Sequence, residues 1–489
     1  MTCVVKSPFD LNELLLHICT FVDCEDFKAL SAASRRIYSA TFPILEHHRR
    51  YWAKFQTLED GPLSATWYWH KLTVSLLTNS LGAPYIRHIN MGAIERRDQN
   101  VLSGDYHYVA FLKDWDIASE SEKMTRPEPP AQLRRYNRHA KYATTSASTA
   151  MLRSNIAVLT DHLAHLDYFS DREKRELASG LRFAQQACIR AILLPLLPNL
   201  STLKIEWSSS CLQQHLGSAV RHAAIAHSMS SQCSSFGKLV KVDLTTDGRS
   251  LKSVSTASGE YSLEFLSYFM ALPSVRKLSA RLVFAKDFLR AESLPPSNAI
   301  DVSFYDQDIS PLAFRNLLAD GSPLESIKLG VKANSQWFDE GQLVNLLLEY
   351  SQSSLKCLEI LRASIVNLNG PATRMELQSF TNLKYITVNY ESFQIQDDIK
   401  LAKLLPSSLQ MLELHTVTAQ QEMPDSILQM LGNIAVFPSW SELRVCGWVS
   451  DANKLRLTAA CQENGISLTM ISHEAINLGL FQGSRTSLV

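Results

Sequence analysis

The stretch that decides the fold runs from residue 355 to residue 414 and contains three segments with the same apolar spacing: LKCLEI (355–360), LKYITV (383–388) and LQMLEL (409–414). In each segment an apolar residue occupies the first, fourth and sixth position, so that the end of the segment alternates like a β-strand with one buried face. The segments start 28 and 26 residues apart, which leaves room for a strand, a loop and a helix in each copy. The spacing predicts a repeating α/β fold.

The same spacing recurs elsewhere in the chain, in LSTLKI (200–205), LVKVDL (239–244), VRKLSA (275–280), LESIKL (324–329) and LRVCGW (443–448). A further possible copy is IRHINM (86–91), and a degenerate one could lie near NAIDVSFYDQ (298–307). This is the L-x-x-L-x-L frame of a leucine-rich repeat, whose parallel strands stack side by side. We therefore expect an α/β solenoid with a curved parallel sheet and outer helices. The array should be irregular, because the asparagine that usually follows the frame is absent from most copies.

The N-terminal residues form a different pattern, with the helical spacing of apolar residues over 11–22. Asp10 and Glu13 are placed to cap this helix. A second helical pattern covers residues 27–34, and a third segment is expected to begin near Pro43, since proline suits a first helical turn. Three short helices with these apolar faces could close a small core.

These three segments resemble the F-box family, although Asn12 stands where the family usually has proline. The matching positions are Leu11, Glu13, Leu14, Leu15, Ile18, Phe21, Val22, Asp26, Phe27, Leu30, Ser34, Arg35, Pro43, Ile44 and Leu45. The resemblance implies a domain that docks onto the Skp-type linker of a cullin–RING ubiquitin ligase while the rest of the chain holds a substrate. The residues that would build or present this docking unit are Leu11, Leu14, Leu15, Ile18, Phe27, Leu30 and Pro43.

Composition limits the possible partners. Lysine and arginine together number 48, as do aspartate and glutamate, so no global field attracts nucleic acid or an anionic membrane. The nine cysteines are scattered and never spaced Cys-x-x-Cys, which favours reduced thiols in a cytoplasmic or nuclear protein. The start of the chain has no signal-peptide pattern, and the apolar run at 191–200 is too short to span a bilayer.

No catalytic constellation emerges from the sequence, and we expect neither an enzyme nor a bound cofactor or metal. A phosphate loop and a Gly-x-Ser-x-Gly elbow are both absent. The basic and aromatic stretch RRYNRHAKY (134–142) is more typical of a solvated loop than of a nucleic-acid strip. Metal ligands could be sought among His162, His165, His215, His222 and His227, but they lack partners at a recognised spacing.

The predicted domain organisation is an F-box over 6–55, a helical linker with a possible first repeat over 56–91, a poorly defined insertion over 92–189, the repeat solenoid over 190–475 and a tail over 476–489. The insertion combines charged, Pro-rich and small polar stretches, which predicts partial flexibility before a helical end. Both a domain linker and a functional insertion remain open.

Alternation along each strand places the polar positions of the frame on the face opposite the buried leucines. The candidate substrate-binding residues are Lys204, Glu206, Lys241, Asp243, Lys328, Glu359, Tyr385, Glu413 and His415. Their mixed charges suit a protein or peptide, although a plain solvated face would look the same. The expected function is the substrate-recognition adaptor of an SCF-type ligase, in the ubiquitin-like conjugation pathway. A ligase-independent scaffold and an enzyme hidden in residues 92–189 are the alternatives.

Overall fold

A computed structural model describes the residues 26, 29, 32, 33, 35–59, 65–78, 80–91, 146–182, 186–205, 210–229, 235–244, 261–289, 294–319, 321–332, 335, 338–362, 374–393, 401–416, 425–447 and 449–471. The chain divides into two compact units. Unit 1 comprises residues 1–223 and 232–239, and unit 2 comprises residues 224–231 and 240–489. Six of the seven residues predicted to form the docking unit, Leu11, Leu14, Leu15, Ile18, Phe27 and Leu30, lie outside the described residues.

Unit 1 contains three parallel strands, β1 (Thr57–Glu59), β2 (His88–Met91) and β3 (Thr202–Ile205). The apolar residues Leu58, Ile89 and Leu203 are register partners across them, and each is at most 3% exposed. The described helices of this unit are α1 (Arg35–Phe55), α2 (Ala65–Thr78), α3 (Ser146–Ala164), α4 (Asp171–Arg182), α5 (Gln186–Leu193) and α6 (Ser210–Ser228), of which α6 continues into unit 2. The possible early repeat IRHINM is therefore a strand, β2, whereas β1 was not recognised in the sequence.

Helix α1 corrects the prediction that a new segment begins near Pro43. The helix starts at Arg35 and continues through the proline to Phe55. Pro43 cannot donate to the carbonyl four residues earlier, which costs a helix interior about 3 kcal/mol. Aromatic pairs one turn apart support the helix on both sides, Tyr38 with Phe42 at 5.8 Å and Tyr51 with Phe55 at 5.4 Å between ring centroids.

Helical structure within the expected insertion begins earlier than the sequence indicated. Helix α3 starts at Ser146, inside a small polar stretch for which flexibility was predicted. Its buried residues Leu159 and Leu163 join Leu177 and Leu181 of α4 in the core of unit 1. Helix α5 then crosses the predicted domain boundary at residue 190 without a break. Residues 92–145 lie outside the described part of the chain.

Unit 2 is built on a parallel sheet whose strands follow the chain order, with helices outside it. The strands are β4 (Lys241–Leu244), β6 (Lys277–Arg281), β8 (Asp301–Ile309), β9 (Ser326–Val331), β10 (Cys357–Arg362), β11 (Tyr385–Asn389), β12 (Met411–His415), β13 (Glu442–Cys446) and β14 (Ser467–Ile471). The short strands β5 (Tyr261–Ser262) and β7 (Val283–Ala285) pair with each other, and β7 also pairs with β8. The helices are α7 (Leu263–Met270), α8 (Pro311–Leu318), α9 (Glu340–Ser351), α10 (Asp425–Leu431) and α11 (Asp451–Glu463).

The predicted apolar frame coincides with these strands. Its three positions are at most 2% exposed in LVKVDL, VRKLSA, LESIKL, LKCLEI, LKYITV and LQMLEL, and also in LSTLKI of unit 1. The degenerate copy is strand β8, where Ala299, Val302 and Phe304 hold the three apolar positions at 1%, 2% and 0% exposure. Burial of each large apolar side chain contributes about 1.5–3 kcal/mol. This repeated contribution holds successive strands together.

A backbone ladder gives the strands a common starting point. The carbonyl of Lys356 accepts hydrogen bonds from the amides of Lys384 and Tyr385, at 2.9 and 3.0 Å. The carbonyl of Lys384 accepts from Gln410 and Met411 in the same way, at 2.8 and 3.0 Å. Equivalent pairs lead into β6, β8, β9, β10 and β13. Each repeat is thus fixed to the one before it at the same place, which sets the register of the sheet.

The frame predicted for LRVCGW is wrong, because the repeat begins three residues earlier than predicted. Leu443 and Val445 of β13 are register partners of Leu412 and Leu414, and both are at most 1% exposed. Trp440 therefore takes the first apolar position, which was predicted for Leu443. Cys446 consequently belongs to the polar side of the strand. The strand β14, with the frame GISLTM (465–470), also went unrecognised because a glycine stands at its first apolar position.

Candidate protein-binding face

The polar positions of the parallel strands in unit 2 align in rows across the sheet, and we call this surface the polar face. The central row consists of Asp243, Ser279, Ser303, Lys328, Glu359, Thr387, Glu413, Arg444 and Thr469. The row two residues earlier consists of Lys241, Lys277, Asp301, Ser326, Cys357, Tyr385, Met411, Glu442 and Ser467. Because parallel strands are in register, side chains distant in sequence become neighbours.

The structure brings most of the predicted site residues onto this one face. Those in the central row are Asp243, Lys328, Glu359 and Glu413, and those in the earlier row are Lys241 and Tyr385. His415 follows two residues after Glu413 on the same strand. Lys204 lies in unit 1, where its register partner is Asn90. Glu206 lies outside the described residues.

Charges at the β4 end of the face are partly paired. Lys241 and Lys277 are direct register partners, so two like charges stand side by side there. The ammonium group of Lys277 lies 3.5 Å from a carboxylate oxygen of Asp301 on the next strand. Nearby, Arg281 Nε donates to Asp306 Oδ2 at 2.5 Å. With Asp243 of the central row, this end carries three basic and three acidic side chains, so the charges of both signs balance.

An apolar section interrupts the charges in the middle of the earlier row. Cys357, Tyr385 and Met411 are successive register partners, and Tyr385 is 42% exposed. Burial raises the pKa of the Cys357 thiol, so this side chain is uncharged at neutral pH. Tyrosine and methionine are enriched in protein interfaces, where they contribute apolar contact area. This section could anchor an apolar side chain of a protein partner.

A side-chain cluster lies at the other end of the face, on β12 and β13. Glu413 Oε1 is 2.7 Å from His415 Nε2 and 3.7 Å from Cys446 Sγ. Glu413 and Cys446 are 7% and 2% exposed, and the His415 side chain is 12% exposed. Alternation places Glu413 and His415 on the same side of β12, while Cys446 is the register partner of His415. One carboxylate oxygen thus contacts an imidazole and a thiol in a largely dry site.

Arg444 connects this cluster to the rest of the face. Its Nε donates to Glu442 Oε1 at 2.7 Å, and its Nη1 lies 3.6 Å from Glu413 Oε2. The hydrogen bond to Glu442 raises the pKa of Arg444, which keeps the guanidinium positively charged. The second oxygen of Glu413 therefore faces a cation, while its first oxygen faces His415 and Cys446. The carboxylate is held in one orientation.

Glu413 and His415 were recognised from the sequence as candidate site residues, whereas Cys446 and Arg444 were not. The misplaced frame on β13 assigned Cys446 to the buried apolar set and gave Arg444 no role. A local turn marks the true start of this repeat, where the carbonyl of Phe437 accepts from the amide of Trp440 at 3.1 Å. The corresponding carbonyl before LQMLEL is that of Pro406, which accepts from Leu409 at 3.2 Å. The apolar pair Phe437 and Trp440 could have indicated the true start of the repeat.

Unit 1 holds a second polar group, on helices α4 and α6. Burial by itself would raise the pKa of Glu173, but hydrogen bonds from Ser218 and Ser170 outweigh it, and the pKa lies below its ordinary value. Ser218 Oγ donates directly to Glu173 Oε1. A serine activated for catalysis instead donates to a base that can take its proton at neutral pH, usually histidine. The arrangement fits a helix-packing contact.

The histidines that the sequence offered as possible metal ligands do not come together with other donors in the described part of the chain. The group of donors there that could share an ion is Glu413, His415 and Cys446. Burial lowers the pKa of His162, and His165 adds to this effect, so His162 is neutral at pH 7. His215 and His222 pack against the rings of Phe169 and Tyr168, at 6.4 and 5.6 Å between centroids. Their surroundings are those of packing residues.

Comparison with known proteins gives no relative: no protein-family model matches the chain, and no curated protein shows significant similarity to it. Within the part of the chain that the structure describes, the helices are too short or too polar to cross a bilayer.

Proposed function

We propose that the protein is a non-catalytic adaptor that binds a protein target through the polar face of unit 2. The observation that carries this proposal is the composition of the face, where charges of both signs flank the apolar section formed by Cys357, Tyr385 and Met411. A face for a polyanion would carry one sign of charge throughout. A surface on which an apolar section lies beside charged groups of both signs fits a protein partner.

The second half of the proposal concerns the N-terminal region. The residues that resemble an F-box would dock onto the Skp-type linker of a cullin–RING ubiquitin ligase, so that the leucine-rich-repeat-like unit carries the target. Within the predicted F-box, α1 presents the side chains of Tyr38 and Phe42, which are 41% and 44% exposed. Exposed apolar side chains on a helix are the groups that a partner's groove covers. The adaptor would act by raising the local concentration of target near the ligase.

The docking half is tested with a double variant in which Leu14 and Ile18 are both replaced by aspartate. The full chain is tagged and purified, and the recovery of the Skp-type linker and of a cullin with it is measured. We expect both partners to be lost. The matched control is Leu455→Asp on α11, a leucine that is 74% exposed and outside the predicted F-box, which should leave recovery unchanged. Unaltered linker recovery with the double variant would refute the docking proposal. Linker recovery without a cullin would instead favour the ligase-independent scaffold.

The target-binding half is tested separately with Tyr385→Ala and Lys328→Glu. Proteins that co-purify with the unaltered chain, and whose ubiquitination depends on it, should be recovered at least about tenfold less with these variants, which corresponds to about 1.4 kcal/mol of binding free energy. The linker should be recovered equally by all three chains. If every such target binds the face variants as well as the unaltered chain, the polar face is not the recognition surface.

A further inference from the structure

We propose that Glu413, His415 and Cys446 form a binding site for a transition-metal ion, with Zn²⁺ as the ion that suits the donors best. A carboxylate, an imidazole and a thiolate are all ligands that Zn²⁺ accepts, whereas Mg²⁺ and Ca²⁺ take oxygen ligands. The donor atoms of the three residues all lie within 4.8 Å of one another. The site is independent of the proposed adaptor function.

The two donor-atom separations that involve Glu413 can be compared with those of ligands around one ion. With Zn–S of about 2.3 Å and Zn–O of about 2.1 Å, tetrahedral geometry separates a sulfur and an oxygen ligand by about 3.6 Å. The distance from Cys446 Sγ to Glu413 Oε1 is 3.7 Å. For nitrogen and oxygen ligands the corresponding separation is about 3.3 Å. His415 Nε2 and Glu413 Oε1, now 2.7 Å apart, would therefore have to separate by about 0.6 Å.

Backbone geometry holds the three donor residues close together. Glu413 and His415 are alternate residues of β12, and Cys446 is the register partner of His415 on β13. All three side chains thus project from one side of two adjacent, hydrogen-bonded strands. The amide of Thr416 donates to the carbonyl of Cys446 at 2.9 Å and extends the pairing beyond the cluster. The ligands would be held on a rigid part of the sheet, which reduces the entropy lost on binding.

The charges around the cluster also match a divalent cation. With Cys446 as thiolate, it and the carboxylates of Glu413 and Glu442 outweigh the guanidinium of Arg444 by two negative charges, which one Zn²⁺ would neutralise. Arg444 approaches Oε2 of Glu413, at 3.6 Å, and so leaves Oε1 for the ion. Such outer contacts orient ligating carboxylates in metal sites.

Zn²⁺ binding would break the hydrogen bond that now joins His415 Nε2 and Glu413 Oε1. The ion would take the place between Nε2 and Oε1, the neutral imidazole would carry its proton on Nδ1, and the thiol proton of Cys446 would pass to water. Three protein ligands leave a fourth tetrahedral position for water, as in zinc sites that are not fully closed.

The test uses the full-length chain, stripped with a chelator and titrated with Co²⁺ and with Zn²⁺ alone. We expect stoichiometric Co²⁺ binding with a thiolate-to-cobalt charge-transfer band in the near ultraviolet, and competition by Zn²⁺. Cys446→Ser should abolish the band and weaken Zn²⁺ binding by at least about tenfold. Cys357→Ser is the matched control, a cysteine of the same face outside the cluster, and should leave the band intact.

Two results would overturn the proposal. One is the absence of stoichiometric Co²⁺ and Zn²⁺ binding by the unaltered chain, and the other is a charge-transfer band that persists in Cys446→Ser. If Cys446→Ser does not fold, His415→Gln provides the second variant and should weaken Zn²⁺ binding by at least about tenfold, with unchanged affinity refuting the site. Because no partner protein is involved, this result is separate from the outcome of the adaptor experiments.

Discussion

Replacement of Trp440 tests the frame of β13, on which the placement of Cys446 depends. Trp440 is 5% exposed, its ring packs edge-on against Phe437 at 5.9 Å between centroids, and its Nε1 donates to the carbonyl of Glu442 at 2.8 Å. An aromatic side chain buries about 150–250 Å², which at about 25 cal/mol per Å² corresponds to about 4–6 kcal/mol. A compact unfolded chain lowers this value by about a tenth to two fifths. We therefore expect Trp440→Ala to cost about 3–5 kcal/mol, in the range measured for large-to-small core changes.

The assay is amide hydrogen exchange followed by mass spectrometry, on peptides that cover β12 and β13. A loss of about 3 kcal/mol should accelerate exchange from these strands at least about a hundredfold, since each 1.4 kcal/mol is about a factor of ten. Trp440→Phe keeps most of the buried area but loses the indole hydrogen bond, and should cost only about 1–2 kcal/mol. The control is Val436→Ala, at a residue 50% exposed in the short 3-10 helix Ile434–Val436 that precedes Trp440. Acceleration of less than about tenfold in Trp440→Ala would refute the frame.

Two further predictions concern buried ionisable groups of unit 2. Glu340→Gln should lower the free energy of unfolding, measured in urea, by about 3 kcal/mol. The reason is that the Arg362 side chain, 9% exposed and 3.2 Å from Glu340, would keep a buried charge without its partner carboxylate. Glu349→Gln, at an exposed ion pair, should change the free energy of unfolding by less than about 1 kcal/mol. Burial raises the pKa of Cys461 from 9.0 to about 11, so above pH 9 the unfolded chain loses a thiol proton that the folded chain retains, and stability should fall up to pH 11. This loss, at most about 2–3 kcal/mol, should be missing from Cys461→Ala. Equal urea midpoints for the two glutamate variants, or identical pH profiles for Cys461→Ala and the unaltered chain, would contradict these predictions.

The strands with regular frames could be predicted from sequence because their physical cause is local. In LKYITV, the residues Leu383, Ile386 and Val388 are all 0% exposed, as the alternation indicates. The same logic failed at β13, where Leu443 fits the first or the fourth position of the frame equally well. The ladder of backbone hydrogen bonds, which joins residues about a repeat apart, distinguishes the two positions, because the amides of Ser441 and Glu442 donate to the carbonyl of Gln410. The start of helix α1 was predicted wrongly for a different reason, because proline favours a first helical turn but α1 continues through Pro43. The aromatic pairs before and after Pro43 contribute only about 0.2–0.5 kcal/mol each and do not by themselves offset the cost of an interior proline.

The candidate site depended on information that no local pattern contains. Glu413 and His415 were recognisable because they belong to one strand, two residues apart. Cys446 lies 31 residues beyond His415 in the sequence, and only the pairing of β12 with β13 makes them neighbours. A shift of that pairing by one residue would turn Cys446 to the opposite side of the sheet and leave the Glu413–His415 pair without its third donor. The metal proposal and the corrected frame therefore depend on the same register, so a failed Trp440 prediction would also remove the physical basis for the metal site.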